Sequence, residues 1–311
     1  MELTLLSLVT LAAFALIGAV IEGAREIIHI EQFGGPASAA AVHAAVTDNG
    51  AQQSITSGIS NPPFPARITA TAGGTAGDIK AITVTVAGTA PGGASISEVL
   101  PAFTVDTAGI VTGAYVFETV TSITIPAHDG TGATTAIGYA GAPRAASTTG
   151  IHAAIADNGA QQVVTTAIMQ PECPRNITAT SGGTAGDIKA VEVIIAGTNA
   201  EDVAITETLP IFTVNSATTV TGAKAFKTVT SITVPAHDGT GATTAIGFGE
   251  VLGLKRRRKR KTVKAAYLDE VKETTDPTEL FDVTNLEGNT VDLNSALNST
   301  RVKIEYISAE Q

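Results

Sequence analysis

Along most of this chain apolar residues recur at every second position in short runs, and glycine, proline or asparagine separates the runs. Ile82, Val84 and Val86 alternate with Ala81, Thr83 and Thr85, which is the two-residue period of a half-buried strand. Similar runs at 42–46, 54–59, 67–71, 96–100, 114–120, 122–125 and 134–137 predict a set of short strands joined by turns, the pattern of an antiparallel sandwich. Asp48-Asn49-Gly50 lies between the first two runs. Because Asn-Gly readily takes positive φ, it predicts a tight hairpin there. Pro62, Pro63 and Pro65 break the next connection, and residues 73–78 read as a loop.

The pattern then repeats. Pro126-Ala-His-Asp-Gly-Thr-Gly-Ala-Thr-Thr-Ala-Ile-Gly138 returns as Pro235-Ala-His-Asp-Gly-Thr-Gly-Ala-Thr-Thr-Ala-Ile-Gly247, an offset of 109 residues from His128 to His237. The same offset joins Asp48-Asn-Gly-Ala-Gln-Gln53 to Asp157-Asn-Gly-Ala-Gln-Gln162, and Gly73-Gly-Thr-Ala-Gly-Asp-Ile-Lys-Ala81 to Gly182-Gly-Thr-Ala-Gly-Asp-Ile-Lys-Ala190. So long a period means tandem domains, since solenoids and propellers repeat every ~20–50 residues. Ile68/Ile177, Val84/Val193, Ile96/Ile205, Phe103/Phe212 and Phe117/Phe226 stay apolar in both copies and are the predicted core. Thr83/Glu192, Tyr115/Lys224 and Glu118/Lys227 exchange polar character and are predicted to face solvent or a partner.

Three stretches lie outside the repeats. Residues 3–21 are nearly continuously apolar, long enough for a bilayer span. Glu2 stands where a secretory signal would carry basic residues, and no clear cleavage motif follows. Burial in an assembly is the preferred reading, a membrane helix the second and an uncleaved signal the third. Residues 255–261, Lys-Arg-Arg-Arg-Lys-Arg-Lys, follow the second copy directly. Beyond them, Thr262 to Leu268 and the alternating Val302, Ile304 and Tyr306 predict strands around turns at Pro277 and Gly288. This segment is too short for a large core and is expected to pair with an existing sheet edge. The expected fold is therefore all-β. It has an apolar, helical N-terminal arm (1–38), two tandem antiparallel, immunoglobulin-like β-sandwich repeats (39–143 and 144–254), and a basic linker with a small C-terminal β segment (255–311).

Composition narrows the chemistry. A single cysteine, Cys173, excludes an intrachain disulfide and a cysteine metal cluster. The net charge of −10 argues against coating nucleic acid. His128-Asp129 and His237-Asp238 suggest a base and its orienting partner. However, they sit in a glycine-rich loop with no nucleophile nearby, and a structural turn is the favoured reading. Gly73-Gly-Thr-Ala-Gly77 lacks the Lys-Ser/Thr ending and the following helix of a phosphate loop. Asp78 and Asp187 lack the alternating carboxylates of a calcium loop. Asn176-Ile-Thr178 and Asn298-Ser-Thr300 match the glycosylation pattern, which is short and carries little weight. No enzymatic activity, cofactor, metal or small-molecule substrate is expected. The basic run is read first as a contact to acidic protein surface and only secondarily to nucleic acid. The predicted subunit-interface residues are Leu5, Leu8, Leu11, Phe14 and Ile17 on the arm, together with Lys255, Arg256, Arg257, Arg258, Lys259, Arg260 and Lys261.

Gln170-Pro-Glu-Cys-Pro-Arg-Asn-Ile-Thr-Ala-Thr180, Val191-Glu-Val-Ile-Ile-Ala-Gly-Thr-Asn199, Ile205-Thr-Glu207 and the Lys224-Ala-Phe-Lys-Thr-Val229 stretch resemble a β-sandwich module of tailed-bacteriophage virion proteins. Asn289-Thr-Val-Asp-Leu-Asn-Ser-Ala-Leu297 resembles the closing segment of such proteins. The first copy departs from the pattern at 62–67 and 115–118. The resemblance implies a virion structural protein, synthesised in the host cytoplasm. A capsid-decoration or head-associated role comes first and a tail or neck component second. The implied partners are the major capsid protein or tail subunits, in a homo-oligomeric or multi-copy assembly. The alternative is a membrane-anchored or secreted surface protein with adhesive domains, contacting a membrane through residues 3–21.

Overall fold

The computed structural model describes residues 28–258 and 260–308. Strand β1 (Ile28–Phe33) leads into the first module, which holds β2 (Ser38–Thr47), β3 (Gln53–Ile55), β4 (Ala66–Gly74), β5 (Thr85–Thr89), β6 (Ser95–Val99), β7 (Gly109–Phe117), β8 (Thr119–Ile125) and β9 (Ala133–Tyr139). Two four-stranded sheets result, ordered β2-β9-β4-β7 and β3-β8-β5-β6. Every pairing in them is antiparallel, and the first strand of the module meets the last, the second the seventh, the third the sixth and the fourth the fifth. Two further ladders, β4 to β9 and β5 to β8, complete the sheets. An eight-strand chain doubled back on itself and then rolled into two facing sheets is a jelly roll.

The second module repeats this step for step with β10 (Ser147–Ala156), β11 (Gln162–Val164), β12 (Arg175–Gly183), β13 (Ile194–Thr198), β14 (Ala204–Thr208), β15 (Thr219–Phe226), β16 (Thr228–Val234) and β17 (Ala242–Gly253). Strand β10 pairs with β17, β11 with β16, β12 with β15 and β13 with β14.

All-β architecture and antiparallel sheets are as the residue pattern predicts, but the immunoglobulin-like order is not the one found. An immunoglobulin sandwich pairs its first two strands in one sheet. Here β2 and β3 lie in opposite sheets, so Asp48-Asn49-Gly50 is a crossing between sheets and no hairpin. The reason is a long-range clasp. The Asp48 carboxylate accepts from the Gly50 amide at 2.8 Å and from the His128 amide at 3.1 Å, which fastens the turn to the loop before β9.

Each sandwich encloses its own core. Ile68, Val84, Phe103 and Phe117 are among the buried residues of the first, and Ile177, Val193, Phe212 and Phe226 of the second. The alternation at 81–86 is real in burial but only partly strand. Ile82 and Val84 point inward through irregular bonds, with Phe103 N donating to the Ile82 carbonyl and Leu100 N to that of Val84, and the regular strand begins at Thr85.

A third core lies beyond the two modules. Strands β18 (Val263–Leu268), β19 (Val271–Lys272), β20 (Thr278–Leu280), β21 (Thr290–Asp292) and β22 (Val302–Ile307) build it. The sheet β1-β22-β18-β19 forms one wall, and the other continues from the end of β17 through β21 to β20. The edge contact expected of the C-terminal segment is thus made to β17, with Leu252 opposite Val291. The expected arm over 1–38 requires correction: residues 28–33 are a strand, since β1 runs antiparallel to β22 from Ile28–Ile307 to Phe33–Val302. The alternation of Ile28, Ile30 and Gln32 outward with Glu31 and Phe33 inward suits an edge strand. The apolar stretch 3–21, with Leu5, Leu8, Leu11, Phe14 and Ile17, lies outside the described residues.

Phe33 therefore comes from the start of the chain to complete a core built from its end, packing with Leu252, Val291, Val302 and Tyr306. Phe33→Ala is expected to cost about 3–5 kcal/mol by leaving a cavity. Hydrogen exchange should show β18 and β22 losing protection while β4 and β12 keep theirs.

Candidate functional site

The repeated loop at 126–138 was the leading chemical candidate, and its geometry is the same in both modules. His128 is buried, and its ring stacks on Phe103 at 6.0 Å between centroids. The Lys80 backbone N–H points at Nδ1 from 3.2 Å, so Nδ1 is the acceptor. Nε2 then carries the proton and donates to Thr135 Oγ1 at 3.0 Å. His237 repeats this with Lys189 N at 3.2 Å, Thr244 Oγ1 at 3.0 Å and Phe212 at 6.1 Å.

Both ring nitrogens are thus engaged within the fold. Asp129 and Asp238 point the other way, to surface ion pairs with Lys80 at 3.0 Å and Lys189 at 3.3 Å, and do not touch the imidazoles. The glycine-rich spacing has a matching cause. Gly132 N donates to Asp78 Oδ2 at 2.9 Å, and a Cβ at Gly130 or Gly132 would stand 2.2–2.4 Å from that carboxylate. Asp187 and Gly241 form the same bond. Asp78 and Asp187 therefore fasten a loop. Among the described residues no group of three or more His, Cys, Asp or Glu side chains could hold a metal ion.

The basic run divides. Lys255 and Arg256 are exposed, as are Arg260 and Lys261, and Arg257 is half-buried. Lys259 lies outside the described residues. Arg258 corrects the expectation of a uniformly outward cationic run: it is fully buried, pairs with Glu279 and donates to the Thr290 carbonyl at 3.3 Å. Its side chain closes the third core beneath β20 and β21. Lys255 anchors through its backbone, donating to the buried Glu31 carboxylate at 3.1 Å, which also accepts from Tyr306 Oη at 2.9 Å. Burial raises the pKa of Glu31, partly offset by these bonds.

Sequence reasoning missed the junction of the two modules. Arg144 pairs with buried Glu172 at 2.6 Å, and Arg175 donates to the Arg144 carbonyl at 2.6 Å. Both guanidinium groups lie over the Phe248 ring, at 4.8 and 4.3 Å. The available signal was charge at 172 and 175 where the first copy has Pro63 and Ala66. Asn176, the first glycosylation candidate, is buried with its amide on the Gly222 carbonyl, whereas Asn298 is exposed. A recess of about 980 Å³ opens between the modules, lined by Ala90 to Gly92, Glu118, Thr165 to Ile168, Asp202 and Lys227. Two of its charged groups are spent on each other, since Lys227 Nζ sits 2.8 Å from Asp202.

No family model matches the chain, and no curated protein matches it. Among solved structures, one chain from "The Triple Jelly Roll Fold and Turret Assembly in an Archaeal Virus" aligns over 90% of this chain and 88% of its own, at 10% identity and a TM-score of 0.23. That likeness is too loose to define the fold, which rests on the strand order.

Two expectations follow from these contacts. Burial holds His128 and His237 below the ordinary 6.5, against the opposing pull of Asp48, Asp129 and their counterparts. On acidification the unfolded chain binds these protons before the folded one does. Stability is therefore complete above pH 6.5 and falls as pH drops below it, with a limiting slope of about 1.4 kcal/mol per pH unit for each histidine. Urea midpoints between about pH 5.5 and 8 should be flatter in the double variant His128→Gln, His237→Gln. Arg258→Ala strands Glu279 and should cost about 3–5 kcal/mol, whereas Lys261→Ala should cost under about 0.5 kcal/mol.

Proposed function

We propose that this chain is a structural component of a virus particle that works by joining subunits. The observation that carries this reading is the doubled jelly roll in which the leading catalytic candidates are consumed by the fold twice over. Jelly rolls serve as capsid and lectin modules, and the residue stretches resembling tailed-phage virion proteins favour the first of these. Within the particle, decoration of the capsid or another head-associated position is the first placement, and a tail or neck position the second. The apolar residues 3–21 and the outward cations Lys255, Arg256, Arg260 and Lys261 supply further joining surfaces.

A membrane-anchored adhesive protein is the competing reading. No helix among the described residues is long and apolar enough to cross a membrane, and residues 3–21 lie outside them. The readings separate on detergent behaviour. A particle component stays with purified particles through non-ionic detergent, in fixed stoichiometry by quantitative mass spectrometry. An anchored surface protein is released by detergent and is absent from particles. Deleting residues 1–22 should leave both sandwiches folded and reduce incorporation into particles. Normal incorporation of the truncated chain would remove the arm from the joining surfaces.

A further inference from the structure

The turn after the first strand of each module reads the same, Asp48-Asn49-Gly50 and Asp157-Asn158-Gly159. In an asparagine–glycine pair the glycine nitrogen can reach the asparagine side-chain carbon and close a five-membered ring, since glycine has no Cβ to obstruct the approach. Both turns hold the parts of that ring together. Asn49 Oδ1 accepts from the Ala51 amide at 3.1 Å, which folds the side chain back over the Gly50 peptide. The Gly50 N–H points at Asp48 Oδ2 from 2.8 Å, and the other oxygen of that carboxylate is held by the His128 amide at 3.1 Å. The second module matches each contact. Asn158 Oδ1 accepts from Ala160 N at 3.0 Å, Asp157 Oδ2 from Gly159 N at 2.9 Å and Asp157 Oδ1 from His237 N at 3.0 Å.

Access is open as well. Asn49, Gly50, Asn158 and Gly159 are exposed, and nothing lies within 4 Å of where a Cβ on either glycine would stand. Ring closure and the entry of water therefore meet no obstacle. The backbone explains the glycines, whose φ values are +76° and +79°. It does not call for the asparagines, neither of which has a positive φ.

We propose that Asn49 and Asn158 are self-modifying sites, each converted by its own turn into aspartate or isoaspartate. Asp48 takes the Gly50 N–H proton as that nitrogen bonds to Asn49 Cγ. The folded-back side chain supplies the proximity this step needs. Negative charge gathers on Oδ1, where the Ala51 N–H already stands as its donor. The bond from Cγ to the side-chain nitrogen then breaks, and that nitrogen takes the proton from Asp48 and leaves as ammonia. Water opens the resulting imide at either carbonyl, and no other reactant enters. Asp157 and Ala160 do the same for Asn158. Each conversion adds one negative charge to a chain whose net charge is −10. As isoaspartate it also adds one carbon to the backbone where the chain crosses between sheets. The turn chemistry does not depend on whether the chain belongs to a particle, so either reading can fail without the other.

The test is peptide mapping by mass spectrometry of the purified full chain, held at neutral pH in water labelled with heavy oxygen. Each conversion fixes one labelled oxygen at the modified residue. Asn49 and Asn158 should take up label at matching rates. Unfolding the chain in urea should slow both by about a hundredfold, because it disperses the base and the donor. Asp48→Asn should slow Asn49 by a similar factor and leave Asn158, the control within the same molecule, unchanged. Asp157→Asn should do the reverse. Ala51→Pro removes the donor without touching the Asp48–His128 clasp, and it should slow Asn49 as well. Asparagine that stays unlabelled at both positions overturns the proposal. Faster conversion in urea than in the folded chain also overturns it, since the Asp48 and Ala51 contacts are then protective. An unchanged rate at Asn49 in the Asp48→Asn chain does the same.

Discussion

Pairing of each module's first strand with its last governs this structure. A chain doubled back so that β2 lies on β9 and β3 on β8 must cross between sheets at every loop on one end. Such crossings are longer-range than hairpins and gain nothing from local turn chemistry alone. They hold because the loops bind one another. Asp48 takes the His128 amide, His128 takes the Lys80 amide, and Asp78 takes the Gly132 amide. These are links between residues 48 to 80 positions apart, made by side chains that look catalytic in a linear reading.

That is also why the sequence was legible in one respect and opaque in another. Alternation and the matched apolar pairs located most of the strands and of the core, because burial on one face leaves a period-two trace in the residues themselves. Ile68, Val84, Phe103 and Phe117 illustrate this, all of them buried. Strand order leaves no such trace. Asn49-Gly50 has the same local signature whether the next strand pairs with the last or crosses to the facing sheet. What decides is the Asp48 carboxylate, whose partner lies 80 residues away. The basic run was misread for a related reason. Its composition is uniformly cationic, but the chain enters the third unit at Arg258, and only the position of Glu279 on β20 shows that this side chain turns inward.

The third unit shows how a short segment acquires a core. It borrows Leu252 and Leu254 from the second module and Phe33 from the start of the chain. The cost of this economy is buried charge, with Glu31 and Arg258 both inside. Each is compensated in place, Glu31 by Tyr306 and the Lys255 amide, Arg258 by Glu279 and backbone carbonyls. Buried pairs of this sort add little net stability against an apolar alternative. They do fix where β1 and β20 must lie, since any other register leaves a charge unpaired.

Divergence between the two modules can then be read as a map of environments. Both copies face the same internal demands, so their cores and loop clasps agree. They face different neighbours inside the chain, so the ends that meet the junction or the third unit differ, as Pro63 and Glu172 do where Arg144 must be paired. Gly109 and Thr218 differ likewise, and Thr218 N donates to Ser181 Oγ at 3.0 Å where the first copy has Ala72.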